Sequence, residues 1–175
     1  GVKIARSSEE VERYSGQIIG MDLVTPQTGS DGKKVQKVLV EQGIYYEGSE
    51  KVEEYYMSIL LNRATGKDII MYSPEGGMDI ESVAEKTPHL IFKEEIEPGL
   101  GVQEFQARKI AYNLRLTGHA FKMMVRFVKS LYSAYVACDA SLFEINPVVK
   151  TSDAKIYAAD CKVNIDDNAL FRHPD

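Results

Sequence analysis

Two segments near the end of the chain constrain the fold more than any other feature. Residues 142–149 read Leu-Phe-Glu-Ile-Asn-Pro-Val-Val, and residues 156–163 read Ile-Tyr-Ala-Ala-Asp-Cys-Lys-Val. Side chains alternate across a strand, so each segment is typical of a β-strand with one polar and one apolar face. The short connection between the two segments predicts an antiparallel hairpin.

The polar side chains of this hairpin are expected to converge on one patch. A hairpin symmetric about Asp153 pairs Asn146 with Asp160 and Glu144 with Lys162. Directly opposed residues have Cβ atoms only about 5 Å apart. A carboxylate and an amide oxygen at that spacing suit Mg²⁺, which takes one or two protein oxygens and completes its octahedron with phosphate oxygens and water.

The pattern leaves a second interpretation open, in which this polar patch is only the solvent face of an edge hairpin. Pro147 within the strand is compatible with an edge position. On the other face, Phe143, Ile145 and Cys161 are expected to point into the core. Both cysteines, Cys138 and Cys161, are expected to be buried free thiols, because two isolated cysteines suggest neither a disulfide framework nor a metal cluster.

The rest of the chain predicts strands interleaved with helices. One helix is expected after Ser7, which has capping-box spacing to Glu10, and a short one is expected after Asp79. Two longer amphipathic helices are expected around residues 107–114 and 121–135, where a stripe of methionine and aromatic side chains is read as core packing. Strands are expected at 2–5, 35–40, 55–61, 68–72 and 90–92. This order indicates an α+β (mixed α/β) fold.

Composition excludes several classes of function. The 175 residues suffice for one compact domain, and 21 Lys and Arg against 26 Asp and Glu, scattered along the chain, disfavour nucleic-acid binding. Apolar runs such as residues 59–61 are far shorter than the roughly 20 residues of a membrane span. Since the first ten residues lack the apolar region of a signal peptide, a cytoplasmic location is expected.

Several motifs in this chain resemble, in the same order, those of succinyl-CoA synthetase (succinate–CoA ligase) β subunits. The likeness extends over the whole sequence. The motifs are Glu-Gly-Gly-Met-Asp-Ile-Glu at 75–81, Val-Ala-Glu-Lys-Thr-Pro at 83–88, Glu-Ile-Asn-Pro at 144–147, Asp160 with Lys162, and Asp-Asn-Ala-Leu-Phe-Arg-His-Pro at 167–174.

This resemblance implies an ATP-grasp fold, with residues 1–40 as the C-terminal part of the small subdomain and 41–175 as the large one. The family's N-terminal segment, with a phosphate-binding lysine, and its C-terminal CoA-ligase domain would lie outside this chain. Members are acid–thiol ligases of the tricarboxylic acid cycle that use Mg²⁺ with ATP/ADP or GTP/GDP. They transfer a phosphoryl group to and from a histidine of the α subunit. Succinate and CoA would bind outside this chain, which alone is expected to be inactive.

Site residues follow from the resemblance position by position. Asn146 and Asp160 match the Mg²⁺ ligands. Glu144 matches the catalytic carboxylate that receives the partner's histidine loop, where a hydrogen bond to one ring nitrogen would orient the other. His89 and His119 are expected to be structural or exposed, like the third histidine, since their spacing is not that of metal ligands.

The resemblance also implies three nucleotide-binding residues. Glu41 matches a hinge position beside the adenine edge, Ile44 a backbone contact, and Glu54 a second nucleotide contact. The segment 43–51, which contains Ile44, is longer than in some relatives. Without the resemblance, exposed carboxylates at strand ends would be the preferred interpretation of Glu41 and Glu54. The loop 75–77 could be a tight turn or an active-site contact.

Two alternative functions remain open at this point. A related acyl-CoA synthetase, such as a malate–CoA ligase, would share all these motifs, because the acid would be recognised by other parts of the enzyme. A non-catalytic interaction domain could retain the fold without binding nucleotide. A bacterial cytoplasmic protein is expected, with the mitochondrial matrix as the alternative location.

Overall fold

The computed structural model describes residues 2–25, 28–46 and 48–174. Within this part of the chain there are two compact units, one ending at Ile44 and the other beginning at Tyr45. The segment 43–51 includes one position, 47, outside the described residues. Its described residues form no helix or strand.

The first unit contains one helix, α1 (Ser8–Ile18), and a two-stranded antiparallel ladder of β1 (Asp22–Leu23) and β2 (Lys33–Lys34). The predicted N-cap at the start of α1 is confirmed, since the amide of Glu10 donates to Oγ of Ser7 at 3.3 Å. The reciprocal bond of a capping box is displaced by one residue, because the Glu10 carboxylate accepts from the amide of Arg6 at 2.8 Å and not from that of Ser7. The bond from Glu10 to Ser7 satisfies one amide that the first helical turn leaves without a partner.

The strands predicted at 2–5 and 35–40 are wrong, since neither segment has regular structure. β-branched residues favour a strand only where a partner strand and a packing surface are available. Val35 exchanges two backbone hydrogen bonds with the 20–21 segment, but the ladder ends there. Val2 and Leu39 are 95% and 86% exposed, so neither segment has a surface to pack on.

The second unit is built on an antiparallel sheet with its two longer helices packed on one side, which confirms the α+β prediction. The sheet order is β5-β4-β3-β6-β7, with β8 also pairing with β6. The strands are β3 (Glu53–Asn62), β4 (Lys67–Ser73), β5 (Phe92–Ile96), β6 (Ala140–Lys150), β7 (Ile156–Ala158) and β8 (Cys161–Ile165). The helices are α2 (Ile80–Lys86), α3 (Glu104–Asn113) and α4 (Gly118–Ala137), with 3-10 turns at Pro88–Leu90 and Asp167–Arg172.

The strand predicted at 90–92 is displaced. Pro88 opens a 3-10 turn that extends to Leu90, and β5 begins only at Phe92. Proline fixes its own backbone angle in the helical range, which favours a tight turn directly after α2.

The core lies between the sheet and the helices α3 and α4. Met124 and Val128 of α4 are fully buried against strand residues such as Met57 and Ile70. The methionine and aromatic stripe of α4 is therefore core packing, as predicted. No helix in the described ranges has the length and apolar character needed to cross a membrane.

The expectation that both cysteines are buried is wrong. Cys138 at the end of α4 is half-buried, and Cys161 at the start of β8 is exposed. Cys161 lies opposite Ile145, which is buried. All five residues of β8 are exposed. Position along the strand sets the direction of a side chain, but burial also requires an element that covers it.

Candidate active site

The register of the predicted hairpin is confirmed. Glu144 pairs with Lys162, and the amide of Asn146 donates to the carbonyl of Asp160 at 3.3 Å. Nζ of Lys162 lies 3.8 Å from Oε2 of Glu144. Glu144 and Lys162 are therefore a ladder pair, whose opposed side chains share a face, and one backbone hydrogen bond joins Asn146 to Asp160 directly beside that ladder.

The hairpin is not a simple edge structure, because β6 lies between β3 and the pair β7 and β8. Pro147 occurs where both neighbouring ladders are irregular. On one side the β3–β6 register shifts between Tyr55 and Met57, and on the other side β7 ends at Ala158 before β8 begins. A proline lacks the amide that a regular inner ladder needs, so it is tolerated at such an interruption.

Asp160 lies in this gap between β7 and β8 and is exposed. Its Oδ1 accepts the backbone amide of Cys161 at 2.9 Å. Within the described residues, the other carboxylate oxygen of Asp160 has no hydrogen-bond partner. Asp160 therefore presents an oxygen to solvent from a position that is fixed by the sheet.

The side chain of Asn146 is half-buried and bonds to the loop that follows β4. Its Oδ1 accepts from the amide of Gly77 at 2.8 Å, and its Nδ2 donates to the carbonyl of Met78 at 2.7 Å. These two bonds define the orientation of the amide. An amide oxygen carries two acceptor positions, so the bond from Gly77 leaves one for another ligand.

Asn146 and Asp160 offer amide and carboxylate oxygens, which are the type of ligand that a hard cation such as Mg²⁺ prefers. Among the residues that the structure describes, no group of three or more His, Cys, Asp or Glu side chains could enclose a metal ion. Asn146 and Asp160 would supply two oxygen ligands. Such a site fits a cation that arrives with phosphate oxygens and water, which is the usual arrangement for Mg²⁺ with nucleotides.

Glu144 lies on the face of the sheet that points away from α3 and α4. It pairs with Ser58 of β3, whose neighbours Met57 and Ile59 point into the helix-covered core. The pKa of the nearby Tyr56 phenol is raised, first by burial and also by the charges of Glu144 and Glu81. Glu144 itself keeps about a fifth of its side chain exposed, at 22%. A partly buried carboxylate with an accessible edge can accept a hydrogen bond from a docking group.

Glu54 at the start of β3 is held by a residue that sequence reasoning did not identify. The Tyr45 hydroxyl donates to Oε1 of Glu54 at 2.7 Å. Burial, and then the Glu54 carboxylate, raise the pKa of the Tyr45 phenol to about 12. The adjacent Tyr46 donates to Asp153 at 2.7 Å instead. The two consecutive tyrosines in a polar stretch were the available sequence signal.

The loop 75–77 is more than a tight turn. The Gly76 amide donates to the carbonyl of Glu54 at 3.3 Å, and a Cβ built on Gly76 would overlap the backbone of Glu54 and Tyr55. Glycine is required here by close approach of two backbones. This contact brings the loop beside the candidate nucleotide residue Glu54.

Glu41 and Ile44 lie in the first unit, whereas Glu54, Glu144 and the candidate metal ligands lie in the second. Glu41 is exposed and Ile44 is half-buried. The strand predicted at 35–40, directly before Glu41, does not form, so the position of Glu41 is set by irregular backbone. The roles of both residues in nucleotide binding stay predictions.

Comparison with known proteins identifies the fold family. The sequence profile of the ATP-grasp domain matches residues 1–150. The chain belongs to the ATP-grasp family. One protein of known structure has a similar fold. The ATP citrate lyase of Methanothrix soehngenii, solved with citrate and coenzyme A, superimposes with a TM-score of 0.60 over 93% of this chain and 34% of that protein. At 17% identity, this likeness demonstrates a shared fold only.

Relatives of this ATP-grasp chain include two bacterial proteins. The ADP-forming succinate–CoA ligase subunit beta of Flavobacterium johnsoniae is 63% identical over 99% of the chain, and that of Koribacter versatilis is 51% identical over all of it. The resemblance to this family is therefore confirmed. The chain spans less than half the length of these relatives, 44% and 43% respectively.

Proposed function

We propose that this chain is the nucleotide-binding part of a succinate–CoA ligase β subunit. It binds Mg²⁺ with ATP or ADP, or with GTP or GDP, for phosphoryl transfer to a histidine of an α subunit. The observation that carries the proposal is the confirmed register of the hairpin, which sets Asn146 against Asp160 beside the pair of Glu144 and Lys162. The relatives named as subunits of this ligase support the choice of reaction.

Asn146 and Asp160 would hold the magnesium ion through one oxygen each. Bound magnesium would neutralise charge on the phosphate oxygens during phosphoryl transfer. Asn146 contributes no charge and Asp160 contributes one negative charge. The site therefore attracts the cation without repelling the phosphates as strongly as a carboxylate cluster would.

Glu144 would accept a hydrogen bond from one ring nitrogen of the partner's histidine. This bond would fix the tautomer and direct the other nitrogen toward the terminal phosphate. The transfer itself moves a phosphoryl group between the nucleoside diphosphate and that nitrogen, so Glu144 would act by positioning the acceptor. Nζ of Lys162 lies 3.8 Å from Oε2 of Glu144, on a side chain that is 71% exposed.

Glu54, Glu41 and Ile44 would contact the nucleotide itself. The position of Glu54 is the best defined of the three, because Tyr45 and the Gly76 backbone both hold it. The acid substrate would be succinate, by similarity to relatives of that name. Its recognition would lie outside the residues described above.

A calorimetric titration of the complete protein with ADP, with and without Mg²⁺, tests this proposal. We expect Mg²⁺ to increase the affinity for ADP, and this increase should be lost in Asp160→Ala. Asp167→Ala is the matched control, since it removes an exposed carboxylate from the 3-10 turn after β8. Absence of binding in the unchanged protein would instead favour a non-catalytic interaction domain.

A further inference from the structure

The loop formed by Gly76, Gly77 and Met78 contacts both halves of the candidate site. On one side, Gly76 donates to the backbone of Glu54. On the other side, Gly77 and Met78 bond to the side-chain amide of Asn146, at 2.8 and 2.7 Å. One short segment therefore lies between the candidate nucleotide contact and the candidate metal ligand.

Gly77 contacts both the Glu54 carboxylate and the Asn146 side chain. Its φ of 70° lies in the left-handed region that favours glycine. A Cβ built on Gly77 would overlap Oε2 of Glu54, so the carboxylate rests directly against this glycine. The amide of the same residue is the donor to Asn146.

Tyr45 holds the opposite side of the Glu54 carboxylate. Its hydroxyl donates to Oε1, while Oε2 faces Gly77. The carboxylate is thus confined between a phenol and a glycine backbone. The resulting sequence of contacts runs from Tyr45 through Glu54 and Gly77 to Asn146, entirely within the second unit.

We propose that Gly77 and Tyr45 are positioning residues that fix the spacing between the Glu54 carboxylate and the Asn146 amide. Resting on the function proposed above, this arrangement couples the nucleotide contact to the metal ligand. A change that frees the Glu54 carboxylate then loosens the loop and with it the Asn146 amide. The coupling travels through contiguous contacts, each of which can be removed separately.

Amide hydrogen exchange at Gly77 in the complete protein, without nucleotide, tests the contacts themselves. Asn146→Ala removes the acceptor, and Tyr45→Phe removes the bond to Glu54. Each should speed exchange at Gly77 by about two- to tenfold, the range expected for loss of one hydrogen bond. Tyr46→Phe is the matched control, since its hydroxyl bonds to Asp153 at the same 2.7 Å. It should leave exchange at Gly77 unchanged.

Two results would overturn the proposal at this stage. Unchanged exchange in Asn146→Ala would mean that Gly77 is not protected by Asn146. Equal exchange in Tyr45→Phe and Tyr46→Phe would mean that the Glu54 carboxylate does not hold the loop. Because no nucleotide is present, neither result depends on the proposed function.

A double-mutant cycle then tests the coupling between the two halves of the site. Tyr45→Phe and Asn146→Asp are combined, and the dissociation constant for ADP with Mg²⁺ is measured for each protein. The aspartate keeps an oxygen ligand but loses the donor to Met78. Tyr45→Phe should raise this dissociation constant by a factor that is at least about twofold smaller in the Asn146→Asp background. The reason is that the effects of substitutions within one network of contacts are not additive. Additive effects would refute the coupling. If the unchanged protein binds no Mg-ADP, the proposed function fails while the exchange result still decides the positioning role.

Discussion

Nζ of Lys162 lies 3.8 Å from Oε2 of Glu144, next along the hairpin to the backbone bond that joins Asn146 to Asp160. The two pairs are close enough to act on one reaction. Their side chains are nevertheless separate, so each can be changed without altering the other's hydrogen bonds. The roles proposed for them can therefore be tested independently.

Asp160→Ala should reduce nucleotide-dependent phosphorylation of the partner's histidine by roughly a hundredfold or more, because the anionic metal ligand is lost. The fold should be retained, since Asp160 is exposed in the gap between two strands. Transfer of radiolabelled phosphate to the complete α–β complex measures the effect. Phosphorylation at the unchanged rate would show that Asp160 is not a ligand of the reacting metal.

Glu144→Gln should leave Mg-nucleotide binding within about twofold of the unchanged protein and slow phosphoryl transfer, because its proposed task is to position the histidine. Calorimetry and single-turnover phosphorylation separate the two steps. Lys162→Gln is the control for the loss of the neighbouring charge. If Glu144→Gln abolished nucleotide binding, the assignment of Glu144 to the histidine would be wrong.

Gly76→Ala should destabilise the fold by about 1–3 kcal/mol, the usual effect of inserting atoms where none fit. Its Cβ would overlap the backbone of Glu54 and Tyr55, which cannot move without disturbing β3. Gly99→Ala is the control, since a Cβ there meets nothing within 4 Å. The midpoint of urea unfolding measures both. Equal midpoints for the two variants would contradict the close approach.

The ion pair of Glu53 and Lys150 should make the free energy of unfolding depend on pH. Nζ of Lys150 lies 2.7 Å from Oε2 of Glu53, and this hydrogen bond lowers the pKa of Glu53 below its ordinary 4.5. A lowered pKa means that the stabilisation is present above pH 4.5 and is lost as the pH falls through the folded-state value.

Glu53→Gln should therefore lower the urea midpoint at pH 7, with a difference that shrinks as the pH is lowered below 4.5. In a Lys150→Met background the same substitution should have little pH-dependent effect, because the partner is absent. A difference that stayed constant with pH in the unchanged background would argue against the pair as its source.

The hairpin could be predicted because its register depends on a local pattern. Period-2 alternation sets the face of every residue, and a symmetric turn then fixes which residues oppose each other. Glu144 opposite Lys162 follows from these two conditions alone. The N-cap at Ser7 was predictable for the same reason, since Ser7 and Glu10 lie within one helical turn.

The incorrect or missing predictions concern residues whose structure depends on contacts with distant parts of the chain. The local sequence does not specify those contacts. Residues 35–40 have the composition of a strand, but among the described residues they have no strand partner beyond Val35. Cys161 has the correct parity to face the core, but all five residues of β8 are exposed. Tyr45 could not be assigned to Glu54, because the stretch that contains it has no period and the contact forms only in the folded protein.

The interruption at residues 159–160 also affects how this sheet meets other proteins. A long, flat outer strand offers an uninterrupted row of amide and carbonyl groups to which another chain can add by edge-to-edge association. Here that border is divided into a three-residue β7 and a five-residue β8, with Asp160 in the gap and Lys162 directly after it. The same break that exposes the Asp160 carboxylate therefore limits templated aggregation along this border of the sheet.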